Sequence, residues 1–269
     1  MLLLKSLLLP IDYSPRSLDA AGYVRALATR CDPEVTVLHV IGQDAPRDAA
    51  NDVVDAINNL LGGLKVVFTA AEGDPARCIV EYAQSHGVDL IMMPTHGYGV
   101  LRRFLLGSVT AKVLHDTDRP VWTCMHAEKQ IQKNPTGIRA VACAVDLGPH
   151  SPGLLRWASD LAASYDARLI AIHASTQLEP VIGVVHDPEW RAHVSDVLWA
   201  QLSELVRKSG VTAELKLTAG EAAKAVALAT RETGADVLVI GRTPDGLMGR
   251  LRTNTYAIIR QSPCPVVSI

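Results

Sequence analysis

Aromatic side chains are scarce in this chain, at 4% of its residues, and none alternates with a lysine or arginine run. A stacking platform for single-stranded nucleic acid is therefore missing. Charge of one sign is missing too. With 26 basic and 28 acidic residues the formal net charge is −2, which argues against a dedicated polyanion binder. No apolar stretch approaches a membrane span, so neither nucleic acid nor membrane is an expected partner. The Leu-rich start, Met1 to Pro10, carries Lys5 in its middle, lacks a small-residue cleavage site and runs into Asp12. It reads as a first strand rather than a leader. The five cysteines are odd in number and form no C-x-x-C, which indicates neither a disulfide framework nor a zinc site. Cys78, Cys124 and Cys143 sit in apolar runs and read as core. A cytoplasmic location follows. Two phosphate-binding signatures are also absent. No G-x-x-x-x-G-K-[ST] occurs, and Gly97-Tyr98-Gly99 has no third glycine in place for a dinucleotide fingerprint.

What is present begins with length and apolar content. A chain of 269 residues that is 48% hydrophobic is long enough for two well-filled domains. Its most informative segment is Met92-Met93-Pro94-Thr95-His96-Gly97, then nine residues, then Gly107-Ser108-Val109. It leaves an apolar strand, Asp89–Met93, and opens a helix at Thr110 to His115. A glycine loop after a strand and a Gly-Ser pair before a helix gather bare backbone N–H groups, which suits a phosphate.

The chain also contains itself twice. Asp12-Tyr13-Ser14-Pro15-Arg16-Ser17 matches Asp146-Leu147-Gly148-Pro149-His150-Ser151 at an offset of 134 positions, which also carries Val37-Leu38-His39 onto Ala171-Ile172-His173. Gly87-Val88-Asp89-Leu90 matches Gly234-Ala235-Asp236-Val237 at an offset of 147, so the second copy gains 13 residues, placed around His186 to Arg191. Pro120-Val121 and Pro265-Val266 end the copies, and the polar stretch Ala127 to Gly137 links them.

In the first copy the expected strands are Leu3–Ile11, Val35–Ile41, Lys65–Ala70, Asp89–Met93 and Val121–Cys124. The expected helices are one capped by Ser17, one over Asp48–Leu61 and one over Asp74–His86. Continuous apolar strands alternating with amphipathic helices imply a parallel sheet covered on both faces. Ligands of such sheets bind beyond the carboxyl ends of the strands, where strand order reverses.

These residues together resemble the universal stress protein family. The resemblance rests on Pro10-Ile11-Asp12 at the end of strand one, His39-Val40 at the end of strand two, Gly97 through Gly107-Ser108, and Pro120-Val121, occurring in order in the first copy of a repeat. It implies an α/β protein of two tandem, doubly wound, five-stranded parallel-sheet domains, Rossmann-like in type, at 1–127 and 138–269. Their last strands would pair them into an intrachain pseudo-dimer, and such self-association extends to a homodimer. In the family's ATP-binding branch ATP lies across the loops. The resemblance therefore implies an adenine nucleotide, ATP with or without Mg2+, held by the first domain and not hydrolysed.

The implied contacts are Pro10, Ile11, Asp12, Val40, Pro94, His96, Gly97, Gly107, Ser108 and Val109. Asp12 would accept from ribose hydroxyls, or else hold an Asx turn at the strand–helix loop. Val40 would pack on adenine, and Ser108 would donate to phosphate or cap its helix. Pro94 replaces the first family glycine, removing a donor and fixing φ. In the second copy Gly241 persists, but Pro244 and Asn254 replace the glycines nearest phosphate, so that copy is expected to be empty. Arg102 and Arg103 read as a solvated basic pair, and His96 has no nucleophile partner. His186, Asp187 and His193 match no tight ligand spacing, so no metal and no catalytic residue is assigned. The ATP-user motifs S-G-G-x-D-S, H-I-G-H and K-M-S-K-S are absent. The alternatives are a nucleotide-free scaffold and a slow ATP hydrolase.

Overall fold

The computed structural model describes residues 3–41, 50–95, 106–124, 137–179, 188–242 and 250–269. Packing divides the chain into two units, Leu3–Gly137 with Val267–Ile269, and Ile138–Val266.

The first unit runs β1 (Ser6–Ile11), α1 (Pro15–Cys31), β2 (Glu34–Ile41), α2 (Ala50–Leu61), β3 (Lys65–Glu72), α3 (Pro75–Ser85), β4 (Leu90–Pro94), α4 (Ser108–Asp116) and β5 (Val121–Cys124). The strands pair in parallel in the order β3-β2-β1-β4-β5. From β1 the chain steps outward through β2 to β3, then crosses back to β4 and β5. Right-handed crossovers in opposite directions put α1 with α2 on one face and α3 with α4 on the other, and these are the helix pairs that touch. Leu7, Leu8 and Leu9 of β1 are fully buried, as continuous apolar strands between two helical layers must be. The first helix starts at Pro15, two residues before the Ser17 cap read from sequence. Proline at the first helical position is already set for the helix. The Ser17 hydroxyl is turned instead to Asp12.

The second unit runs β6 (Ala140–Ala144), α5 (Ser151–Ser164), β7 (Arg168–Ser175), a short 3-10 turn, α6 (Pro188–Ser209), β8 (Glu214–Ala219), α7 (Ala222–Glu232), β9 (Val237–Ile240) and α8 (Arg250–Gln261), and ends at Val266, the first residue of β10 (Val266–Ser268). Its order is β9-β6-β7-β8, again parallel, with the N–H of Leu238 donating to the Pro265 carbonyl at the head of β10 (2.9 Å). The inserted length lies partly in α6, which has 22 residues where α2 has 12. Among the described residues no helix is long and apolar enough to cross a membrane.

One repeated residue explains how each unit is laced at the opposite end from the crevice. Asp89, just before β4, accepts from the backbone N–H groups of Lys5 (2.7 Å) and Ser6 (3.0 Å) at the start of β1. Asp236 does the same for Arg139 (2.8 Å) and Ala140 (3.0 Å). All five cysteines are free. Cys124 and Cys143 are buried, and burial raises both thiols far above their ordinary range. Burial likewise pushes Cys264 up to about 12. Cys78 departs from the core reading: it is half-buried, with its Sγ 3.6 Å from the Glu72 carbonyl.

Candidate functional site

The switch point lies between β1 and β4. Strand β1 stays paired with β2 as far as Ile11↔His39, but with β4 only through Leu8↔Ile91. Beyond Leu8 the pairing with β4 stops, and the carboxyl ends of the two strands flank the switch-point crevice expected of such a sheet. Asp12 follows β1 into it and is exposed. Its Oδ1 accepts from the Ser14 N–H (3.0 Å) and the Ser17 hydroxyl (3.0 Å), while its own N–H donates to Ser17 Oγ (3.3 Å). Asp146 holds the same turn, accepting from the Gly148 N–H and the Ser151 hydroxyl, both at 2.8 Å. One carboxylate oxygen of each aspartate therefore organises the strand–helix turn.

The second repeated constraint is a histidine to which the sequence pattern assigned no bonding partner. His39 Nδ1 lies 3.1 Å from the Ile11 carbonyl, and His173 Nδ1 lies 2.9 Å from the Val145 carbonyl. A carbonyl only accepts, so Nδ1 carries the proton in both. Each histidine fixes the strand end from which its aspartate departs. The signal was present in sequence, since Val37-Leu38-His39 recurs as Ala171-Ile172-His173. Ser17 likewise recurs as Ser151, five residues after the aspartate.

On the far side of the crevice, β4 is lashed to α4. Gly107 donates its N–H to the Thr95 carbonyl (2.8 Å), and the Thr110 hydroxyl donates to the Pro94 carbonyl (3.0 Å). Gly107 is the N-cap, with φ −61° and ψ 147°, an extended backbone open to any residue. Its value to a ligand is therefore the room left by a missing side chain. The first helical bond is Ala111 N–H to the Gly107 carbonyl (2.8 Å). The N–H groups of Ser108, Val109 and Thr110 are the unpaired donors of the first turn, and no partner takes them among the described residues. Ser108 is exposed, and no side chain caps the helix.

Pro94 ends β4. The N–H groups of Ile91 and Thr95 turn to β5, donating to Pro120 and Cys124. Alternation along the strand turns position 94 the other way, toward β1 and the crevice. Proline thus deletes the donor that would have faced the opening. His96 and Gly97, with Arg102 and Arg103, lie outside the described residues. So do Pro244, His186 and Asp187.

The second unit differs at this point in a way the glycine count did not reveal. Asn254 occupies the Gly107 position, yet it lies inside α8, which begins at Arg250. Without a glycine to break it, the helix runs about a turn further toward its N-terminus. The N–H groups equivalent to those of Ser108 and Val109 are consequently directed to carbonyls one turn back. Gly241, at the Pro94 position, leaves ordinary room: an added Cβ would sit 3.7 Å from Leu154. Among the described residues no group of three His, Cys, Asp or Glu side chains comes together to hold a metal.

The universal stress protein family matches residues 43–124 and 137–269 of this chain. The chain belongs to that family. A universal stress protein of Methanocaldococcus jannaschii is 30% identical over 146 residues, spanning 48% of this chain and 86% of the relative. Among solved structures, a universal stress protein of Archaeoglobus fulgidus superposes with a TM-score of 0.67 at 21% identity, over 98% of this chain and 95% of that one. A Pseudomonas aeruginosa protein described as functionally unknown gives 0.70 at 19% identity, over 99% and 92%. At these identities the two structures speak for the fold alone. Within this universal stress protein, Pro10, Ile11, Asp12 and Val40 end the two adjacent strands β1 and β2 on one side of the crevice. Pro94, Gly107, Ser108 and Val109 lie where β4 meets α4 on the other.

Proposed function

We propose that the first unit holds one adenine nucleotide, ATP with or without Mg2+, and that the protein serves in a stress response as a binding protein rather than an enzyme. The observation that carries this reading is the contrast at the two helix starts. Helix α4 begins at the crevice with its first-turn donors unclaimed among the described residues, whereas α8 begins earlier and runs through the equivalent position. Unclaimed N–H groups at a helix start favour an anion through both hydrogen bonds and the helix dipole. On this reading the phosphates meet Ser108 and Val109, together with His96 and Gly97. The nucleoside lies toward Pro10, Ile11, Asp12 and Val40, with Pro94 between.

The working domains are 1–127, which carries the nucleotide, and 138–269, which does not. Free cysteines suit a reducing cytoplasm. Binding without turnover fits an Asp12 whose Oδ1 is already committed to its own turn. The nucleotide-free scaffold keeps one observation in its favour, the donor that Pro94 removes from the crevice. Mass analysis of small molecules released from purified, heat-denatured protein separates the two. The binding reading expects an adenine nucleotide, near one per chain, or its uptake on incubation with ATP. Protein that carries none and takes up none supports the scaffold. Steady phosphate release from ATP would make it a hydrolase.

A further inference from the structure

The turn after β1 forces an unusual backbone on whichever residue follows the aspartate. Tyr13 sits at φ 59° and Leu147, its counterpart, at φ 64°, a region that bulky residues seldom enter. The fold imposes this conformation in both units, so it is not what separates them. The side chain is. The Tyr13 ring lies on the His39 ring, centroids 3.9 Å apart and planes tilted by 34°. His39 is itself fixed by the bond from its Nδ1 to the Ile11 carbonyl. The second unit keeps the histidine and its carbonyl bond at His173 but offers Leu147 in place of the ring.

The first unit thus presents an aromatic pair held on one side by the turn and on the other by a hydrogen bond. Tyr13 directly follows Asp12 and His39 directly precedes Val40, so the pair sits at the carboxyl ends of β1 and β2. Burial raises the Tyr13 phenol above its ordinary range, so the ring stays neutral at physiological pH. A flat, neutral, pre-fixed ring attracts a planar base, and more strongly the larger the base.

We propose that Tyr13, seated on His39, is the surface on which the base of the bound nucleotide stacks, and that it makes this site prefer purine over pyrimidine nucleotides. The inference rests on the nucleotide reading above and adds the residue that selects the base. The second unit supplies the test variant. Tyr13→Leu installs the residue that already adopts this backbone conformation at position 147, and Tyr13→Phe keeps the ring. ATP, CTP and inorganic tripolyphosphate are titrated into each full-length protein by calorimetry. Tyr13→Leu should lower ATP affinity about ten-fold, the usual scale of one base–aromatic stack. CTP affinity should fall less, tripolyphosphate should be unaffected, and Tyr13→Phe should stay within about two-fold of wild type for all three. In proton NMR the Tyr13 ring signals should move upfield with ATP and not with tripolyphosphate. Wild type that binds ATP, with Tyr13→Leu binding it equally well, overturns the stacking role while leaving the nucleotide reading intact. Wild type that binds neither ATP nor tripolyphosphate removes both.

Discussion

Replacing Asp89 by alanine should destabilise the first unit by about 2–3 kcal/mol, although the residue lies far from the crevice. Asp89 accepts from two consecutive backbone N–H groups, Lys5 at 2.7 Å and Ser6 at 3.0 Å, and its own N–H donates to the Ser6 carbonyl at 3.0 Å. Hydrogen bonds to a charged acceptor contribute about 1.5–3 kcal/mol each, toward the lower end where water can replace the acceptor. The Lys5 N–H is exposed and rehydrates, so its loss should cost about 1 kcal/mol. The Ser6 N–H is part-buried, and its loss should cost about 1.5–2 kcal/mol. Asp89→Asn retains a neutral acceptor and should cost roughly half as much. Urea unfolding followed by Trp122 fluorescence, with Trp157, Trp190 and Trp199 replaced by phenylalanine, isolates the first unit. At a slope of about 1.5–2 kcal/mol per molar urea, the midpoint should fall by roughly 1–2 M with the slope unchanged. Asp236→Ala should leave this transition in place and, in protein that retains Trp157, Trp190 and Trp199, lower that of the second unit, where all three lie. A loss below about 0.5 kcal/mol for Asp89→Ala would refute the assignment of these bonds as a clamp.

Other perturbations test the crevice and its surroundings. Gly107→Val should keep the fold, because φ −61° suits any residue, yet abolish ATP binding by filling the space over the α4 donors; undiminished ATP affinity by calorimetry would contradict this. Pro94→Gly should tighten ATP binding by about 0.5–1.5 kcal/mol if one net hydrogen bond is regained, partly offset by a more flexible free loop; equal affinity at fixed magnesium would show that the missing donor does not matter. The Ser14 hydroxyl is buried without a partner among the described residues, so Ser14→Ala should be neutral or stabilise by up to about 1 kcal/mol in thermal unfolding, and a clear loss would count against it. On the exposed face of α6, hydrogen bonds from Arg207 hold the Glu204 carboxyl down to about 2. That pairing is fully present above the ordinary carboxylate range and is lost as pH falls through about 2. In Arg207→Gln the carboxyl should titrate at higher pH by carbon-13 NMR, and an unmoved midpoint would refute the pairing.

The fold was legible because each repeated residue type reports a physical demand. Unbroken apolar runs such as Leu7–Leu9 and Val141–Cys143 signal strands buried on both faces, and both are. Helix boundaries were less legible. Ser17 reads as a cap until Asp12 is seen to take its hydroxyl, and Pro15 then starts the helix. The repeat held more than was drawn from it. Asp89 with Asp236, and His39 with His173, recur because each bonds to the backbone of a neighbouring strand or the residue just beyond it, a partner that no local pattern exposes. Least legible was the second crevice. Counting lost glycines pointed to a closed phosphate position but not to the N-terminally extended α8 that runs through Asn254. Helix extension of that kind follows from removing a breaker, but its length is decided by packing.

The central claim, one nucleotide site per chain and that site in the first unit, is tested most directly by calorimetric titration of ATP into the full-length protein and into Gly107→Val. A stoichiometry of about one ATP per chain, lost in Gly107→Val with the thermal unfolding of the second unit unchanged, is the result this account predicts. Two equivalent sites per chain, or heat of binding that survives Gly107→Val, would contradict it.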